Sequence, residues 1–358
     1  MKPFAYDRPT SLPEAVRMAR ADGAMVYAGG TTMLDLMKHG VYRPERVVDI
    51  TFLDAPRMRE IRVGKDASGN ERLRFGALVS MHAAAEHADV KRLAPAMSES
   101  LWLAASPQLR HMATLGGNVM QRTRDPYFRD PSWIRLVDAP DGRRSRDGAR
   151  SNYGETPYGD GRLTAVQQPT RLSAVLGTTE TDTASYPGDW AQSLVAFGAT
   201  VEIEGPDGSR TMPFHRLHIA PADKRSETQY ARLDPGEIIT GFSVPATPAL
   251  RRSIYLKARD RESYAFANAS AAVGLELEAD NETVREVRVG LGGVATVPWR
   301  SREAEAAVRG KRLTQESALA AGEAAFEGAR THEHNAFKVP LGTQVVAKVL
   351  MTLKSMEA

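Results

Sequence analysis

The chain has 358 residues, 42% of them hydrophobic and 25% charged, with a net charge of +3 and no cysteine. Such a length suits two or three subdomains, the composition is globular, and the mixed charges leave no nucleic-acid footprint. Without cysteine the chain itself supplies no disulfide, thiolate nucleophile, Cys-type zinc site or Cys-ligated iron–sulfur cluster.

Met1-Lys-Pro-Phe-Ala-Tyr-Asp7 lacks the apolar stretch of about 7–15 residues that a signal peptide needs. No run approaches the ~18 apolar residues of a membrane span. The expectation is a soluble protein, cytoplasmic unless a partner carries it elsewhere. Ser11-Leu-Pro-Glu14 has the form of a capping box, and Leu12, Ala15, Val16 and Ala19 continue at helical spacing until Gly23. Residues 24–28 read as a buried strand, Gly29-Gly30 as a turn, Met33–Lys38 as a short helix and 46–50 as a strand. This is the rhythm of a small α/β unit. Glu60–Val63 and Arg72–Phe75 form a hairpin; Ser80 caps a helix to about Ala88, and 94–105 is another helix.

Residues 122–170 carry arginine clusters and five prolines but no periodicity, so they read as a long surface excursion. Leu172–Leu176 is expected as a strand. Asp189 stands at the N-cap of a helix from Trp190 to Phe197, and 199–204 with Pro206-Asp-Gly-Ser209 makes a hairpin. After a linker at about 220–236, antiparallel strands follow at 237–244, 254–258, 272–278 and 284–291, then helices at about 301–309, 315–328 and 341–355. The boundaries implied are 1–55, 56–220 and 237–358.

Two stretches carry chemistry: Tyr27-Ala-Gly-Gly-Thr-Thr-Met-Leu34 and Thr114-Leu-Gly-Gly-Asn118. A diphosphate needs several donors close together, and backbone amides supply them where glycine removes the Cβ. Gly29 and Gly30 precede a helix, Thr31 and Thr32 add hydroxyls, and Gly116 and Gly117 sit between Thr114 and Asn118. The two loops together are read as holding the diphosphate of one dinucleotide, although either Gly-Gly pair alone is more often a plain turn. Gly290-Leu-Gly-Gly-Val-Ala295 fails the Rossmann context because Pro298 blocks a following helix. His332-Glu-His334 lacks metalloprotease spacing, His82 and His87 read as surface residues, and no Walker-type loop occurs.

At these residues the chain resembles the FAD-binding medium subunit of molybdenum hydroxylases, the group that includes xanthine and carbon monoxide dehydrogenases and bacterial aldehyde oxidoreductases. Ala28–Leu34 and Thr114–Asn118 look like its two FAD motifs, and Gly290–Ala295 with Glu303 and Glu305 like the start of its C-terminal domain. Gln121-Arg-Thr-Arg124, Tyr127-Phe-Arg-Asp130 and Tyr186-Pro-Gly-Asp189 are most similar to the periplasmic aldehyde oxidoreductase branch. The resemblance implies an α+β fold: two N-terminal α/β FAD-binding subdomains (PCMH-like), then a C-terminal antiparallel sheet with helices. It adds Gln121 and Thr123 to the cofactor contacts, sets Asp189 against the ribityl chain or flavin edge, and sets Lys257 near the flavin pyrimidine. Without it, Lys257 would read as a strand-edge charge facing water.

That branch carries a four-iron cluster on cysteines. Here Asp125 stands where the first would be, so the loop is expected without its cluster, serving either as a docking surface or as surface cover. The implied partners are a two-iron ferredoxin-like small subunit, a molybdenum-pterin large subunit and a terminal electron acceptor, with periplasmic placement if a signal-bearing partner exports the assembly folded. The alternatives are a self-contained FAD oxidase of the vanillyl-alcohol type and a flavin-free scaffold. The first commonly needs a His or Cys tether, and neither glycine loop has one.

Overall fold

A computed structural model describes residues 1–129, 170–180, 182–224 and 230–356 of the chain. Most of the 122–170 excursion, with the Arg143–Arg150 cluster, lies outside these residues. Among the described residues no helix is long and apolar enough to cross a membrane.

The first unit is a three-stranded parallel sheet of β1 (Ala5–Asp7), β2 (Ala24–Tyr27) and β3 (Arg46–Asp49), ordered β1-β3-β2. The helices Leu12–Ala19 and Met33–Lys38 make the crossovers. β1 is too short to show a period, and the sequence reading missed it. Ser11 does occupy the N-cap, but its side chain makes no cap bond. Glu14 instead accepts from the Thr10 amide at 3.1 Å, so the expected capping box is not formed.

The second unit is a five-stranded antiparallel sheet. Its order is β4 (Ile61–Lys65), β5 (Glu71–Gly76), β8 (Ile238–Pro245), β6 (Thr200–Gly205) and β7 (Gly208–Pro213). Here the sequence reading needs correction, because β8 was expected to open the C-terminal sheet. Its mostly buried apolar run is compatible with either sheet; pairing with β5 and β6 decides. Helices cover one face. Among them Trp190, fully buried, meets Phe75 and Phe242 edge-on at 5.5 and 5.1 Å.

The third unit is a four-stranded antiparallel sheet, β12 (Trp299–Arg300), β11 (Val284–Gly292), β10 (Ala269–Leu277) and β9 (Ser253–Ala258). The helices Arg302–Val308, Gln315–Ala324 and Lys338–Ser355 pack with this sheet around a separate core. Val345, Val346, Val349, Leu350 and Leu353 form the buried stripe of the last helix. The third glycine run serves packing: a Cβ on Gly290 would lie 2.3 Å from the Gln192 carbonyl of the helix Trp190–Ala196. The strand expected at 172–176 is absent. Only Leu176 bridges, to Ala295.

Candidate cofactor site

All three parallel strands run the same way, so Asp7, Tyr27 and Asp49 end at one edge. Open α/β sheets bind ligands outside the carboxyl ends of their strands. A cleft of about 440 Å³ opens there. Tyr6, Tyr27, Ala28, Gly29, Leu34 and Asp49 line it from the first unit, and His111, Met112 and Thr114 from the second. Buried Asp49 accepts from Thr51 through its amide at 2.9 Å and its hydroxyl at 2.6 Å, and from the Tyr6 hydroxyl. The bond to Asp49 holds the Tyr6 phenol above its usual range. The sequence reading missed Tyr6, Asp49, His111 and Met112. The strand ends were the available signal, and β1 was not recognised.

The first glycine loop closes against the second unit. A Cβ on Gly29 would stand 2.1 Å from the Met112 carbonyl oxygen and 2.9 Å from the Ala113 Cα. Gly30 has φ +70°, and the Tyr27 ring folds over it. Among the described residues the amides of Gly30, Thr31 and Thr32 have no backbone acceptor. Met33, expected as a cofactor contact, turns instead into the core beside Met37 and Val47.

The second glycine stretch is a helical turn, Leu115–Val119, capped by the Thr114 hydroxyl. Its amides are already engaged: Leu115 donates to Val79, Gly116 to Ala77, and Asn118 to the Thr114 carbonyl. The Gly117 amide donates to the Thr114 hydroxyl at 3.2 Å. The expectation that these glycines present free amides to an anion is therefore corrected. Gly116 allows close packing on Ala77, and the Cβ direction of Gly117 meets only Thr114 Oγ1. The buried Asn118 Oδ1 has no hydrogen-bond partner.

Gln121 and Thr123 face a different, smaller cavity of about 60 Å³, shared with Arg122, Tyr186, His218 and Tyr230. Thr123 caps the Asp125 amide at 3.1 Å, and Asp125 Oδ1 accepts from the Phe128 amide at 3.3 Å. Asp125 thus starts a helical turn at the position where the resemblance places a cysteine.

Asp189 and Lys257, 68 residues apart in sequence, form a buried ion pair at 2.8 Å. The Asp189 side chain does not cap its helix. It accepts from the Tyr255 hydroxyl at 2.5 Å, while Lys257 Nζ also donates to the Leu103 carbonyl at 3.1 Å. Burial first, then the Asp189 charge, raises the Tyr255 phenol well above its usual range. The pair ties the C-terminal sheet to the start of the helix Trp190–Ala196. It places Lys257 inside the molecule rather than at a watered strand edge.

A cleft at the strand ends, lined by both units and followed directly after Gly29 by the free amides of Gly30, Thr31 and Thr32, suits a ligand with an anionic group. The class defined by this fold and site is a nucleotide-binding scaffold of two units with an appended sheet-and-helix domain. Residues 2–247 match the FAD binding domain in molybdopterin dehydrogenase, and residues 254–353 the CO dehydrogenase flavoprotein C-terminal domain. The aldehyde oxidoreductase FAD-binding subunit PaoB of Escherichia coli (strain K12) is 35% identical over 98% of this chain and 98% of its own. The carbon monoxide dehydrogenase medium chain of Afipia carboxidovorans is 25% identical, with 87% and 81% covered. In the solved structure of carbon monoxide dehydrogenase from Hydrogenophaga pseudoflava, one chain superposes with a TM-score of 0.69 at 23% identity, over 98% of this chain and 97% of that one. The chain belongs to the family of FAD-binding subunits of molybdenum hydroxylases.

Proposed function

We propose that this chain binds FAD in the cleft off β1–β3 and is the electron-transfer subunit of a molybdenum hydroxylase acting on aldehydes. The observation that carries this reading is the end-to-end match to a chain named as the FAD-binding subunit of an aldehyde oxidoreductase. Electrons leave the substrate at a molybdenum-pterin centre in a large partner subunit and pass the two-iron clusters of a small one. They then reach this chain, which hands them to a terminal acceptor. Bound FAD supplies the step between one-electron and two-electron chemistry.

The chain's own residues hold and tune. The amides of Gly30, Thr31 and Thr32 and the threonine hydroxyls would donate to the diphosphate, with Thr114, three residues before Gly117, on the second unit's wall. Lys257, paired with Asp189, would supply a buried cation toward the flavin, the role that the family resemblance implies for it. The compartment follows that of a signal-bearing partner.

The test is the visible spectrum of the purified chain after incubation with FAD and desalting, then aldehyde addition to the three-subunit assembly. Flavin bands in the chain and their bleaching by aldehyde in the assembly alone are expected. A colourless chain overturns the reading; bleaching by a small alcohol in the isolated chain replaces it with the oxidase.

A further inference from the structure

The helix Met33–Lys38 begins at the free amides of the first loop, and residues 120–129 lead away from the second. One carboxylate joins them. Asp35 Oδ2 lies 2.5 Å from Arg129 Nη2 and 3.4 Å from Arg124 Nη1, and His39 is 3.4 Å from its other oxygen. Partial burial works to raise the Asp35 carboxyl, yet Arg129 and then Arg124 hold it below the usual range. Phe128, one residue before Arg129, plugs a small core with Leu36 and Ala184. Arg124 is itself crowded. Its Nε is buried without a hydrogen-bond partner, and its guanidinium lies 4.8 Å over Phe266.

A lone half-exposed ion pair contributes little. This case differs because one carboxylate offsets two guanidiniums that otherwise repel each other. Removing it leaves both cations on the seam between units that supply opposite walls of the cleft.

We propose that Asp35, Arg124 and Arg129 form a clamp that fixes the spacing of the two loops, making Asp35 a positioning residue for FAD. The inference rests on the FAD reading above. It is tested by titrating the full chain with FAD, with apo melting temperature and hydrogen exchange measured in parallel. Asp35→Asn is expected to weaken FAD binding about tenfold, a change of ~1.4 kcal/mol. It should leave the apo melt nearly unchanged and speed exchange at 33–38 and 120–129. The charge swap Asp35→Arg with Arg129→Asp should recover part of the affinity that either change alone removes, which a merely structural role would not produce.

Asp35→Asn binding FAD like wild type, or a folded swap recovering nothing, overturns the clamp. Should Asp35→Asn fail to fold, Arg124→Gln with Arg129→Gln carries the same criterion. Wild-type chain that takes up no FAD overturns the function and the clamp together.

Discussion

Gly29→Ala probes how the two walls of the cleft meet. The added methyl would stand 2.1 Å from the Met112 carbonyl oxygen and 2.8 Å from its carbon. That is roughly 1 Å or more inside ordinary contact. The obstacle is backbone, so no rotamer change relieves it, and the first loop must separate from residues 112–113. Overpacking of this kind costs about 1–3 kcal/mol. The separation also opens the cleft where it narrows, so FAD affinity should fall with stability. Urea unfolding of the apo chain and fluorescence titration with FAD read the two effects. Gly117→Ala is the control: its methyl meets only Thr114 Oγ1, at 3.1 Å, and Ala suits a helical turn better than Gly by about 0.5–1 kcal/mol. It should keep or raise stability while reducing FAD affinity, because it fills the open side of the second loop. Gly29→Ala with an unchanged urea midpoint would refute the close approach; Gly117→Ala with wild-type affinity would remove Gly117 from the site.

Lys257→Met should destabilise by about 3–5 kcal/mol, because Asp189 is left as a buried unpaired charge. Adding Asp189→Asn should recover much of the loss in a double-mutant cycle of urea midpoints. His218 donates through Nε2 to the Val119 carbonyl at 2.8 Å, and burial lowers its pKa to about 4. The unfolded chain therefore binds the proton first, so stability should fall as pH drops from about 6.5 towards 4; His218→Gln should flatten that slope. Lys338 is buried among the carbonyls of Gly293 and Leu172, and burial lowers its pKa to about 8. Between pH 8 and 10.5 the unfolded chain again holds the extra proton, so the stability of wild type relative to Lys338→Met should increase with pH; a flat difference would sink the assignment.

Local chemistry, legible in the sequence, set the β2–glycine–helix unit, the hairpin over Pro206–Ser209, the cap at Ser80 and the C-terminal helices. Each is decided within a few residues by periodicity, a cap or a turn. The absence of cysteine likewise excluded a cysteine-held cluster from this chain before any fold was known. Other outcomes depended on contacts between residues far apart in sequence. Pairing with β5 and β6 put β8 in the second sheet. Docking on Ala77 and Val79 used up the amides of Leu115 and Gly116, which the Gly-Gly pattern alone would have offered to a ligand. Lys257 reads from its strand as a surface charge, and only the arrival of Asp189 across 68 residues makes a buried cation tenable there. A one-dimensional pattern records which groups a segment carries; which of them remain free for a ligand depends on the partners that folding brings to them.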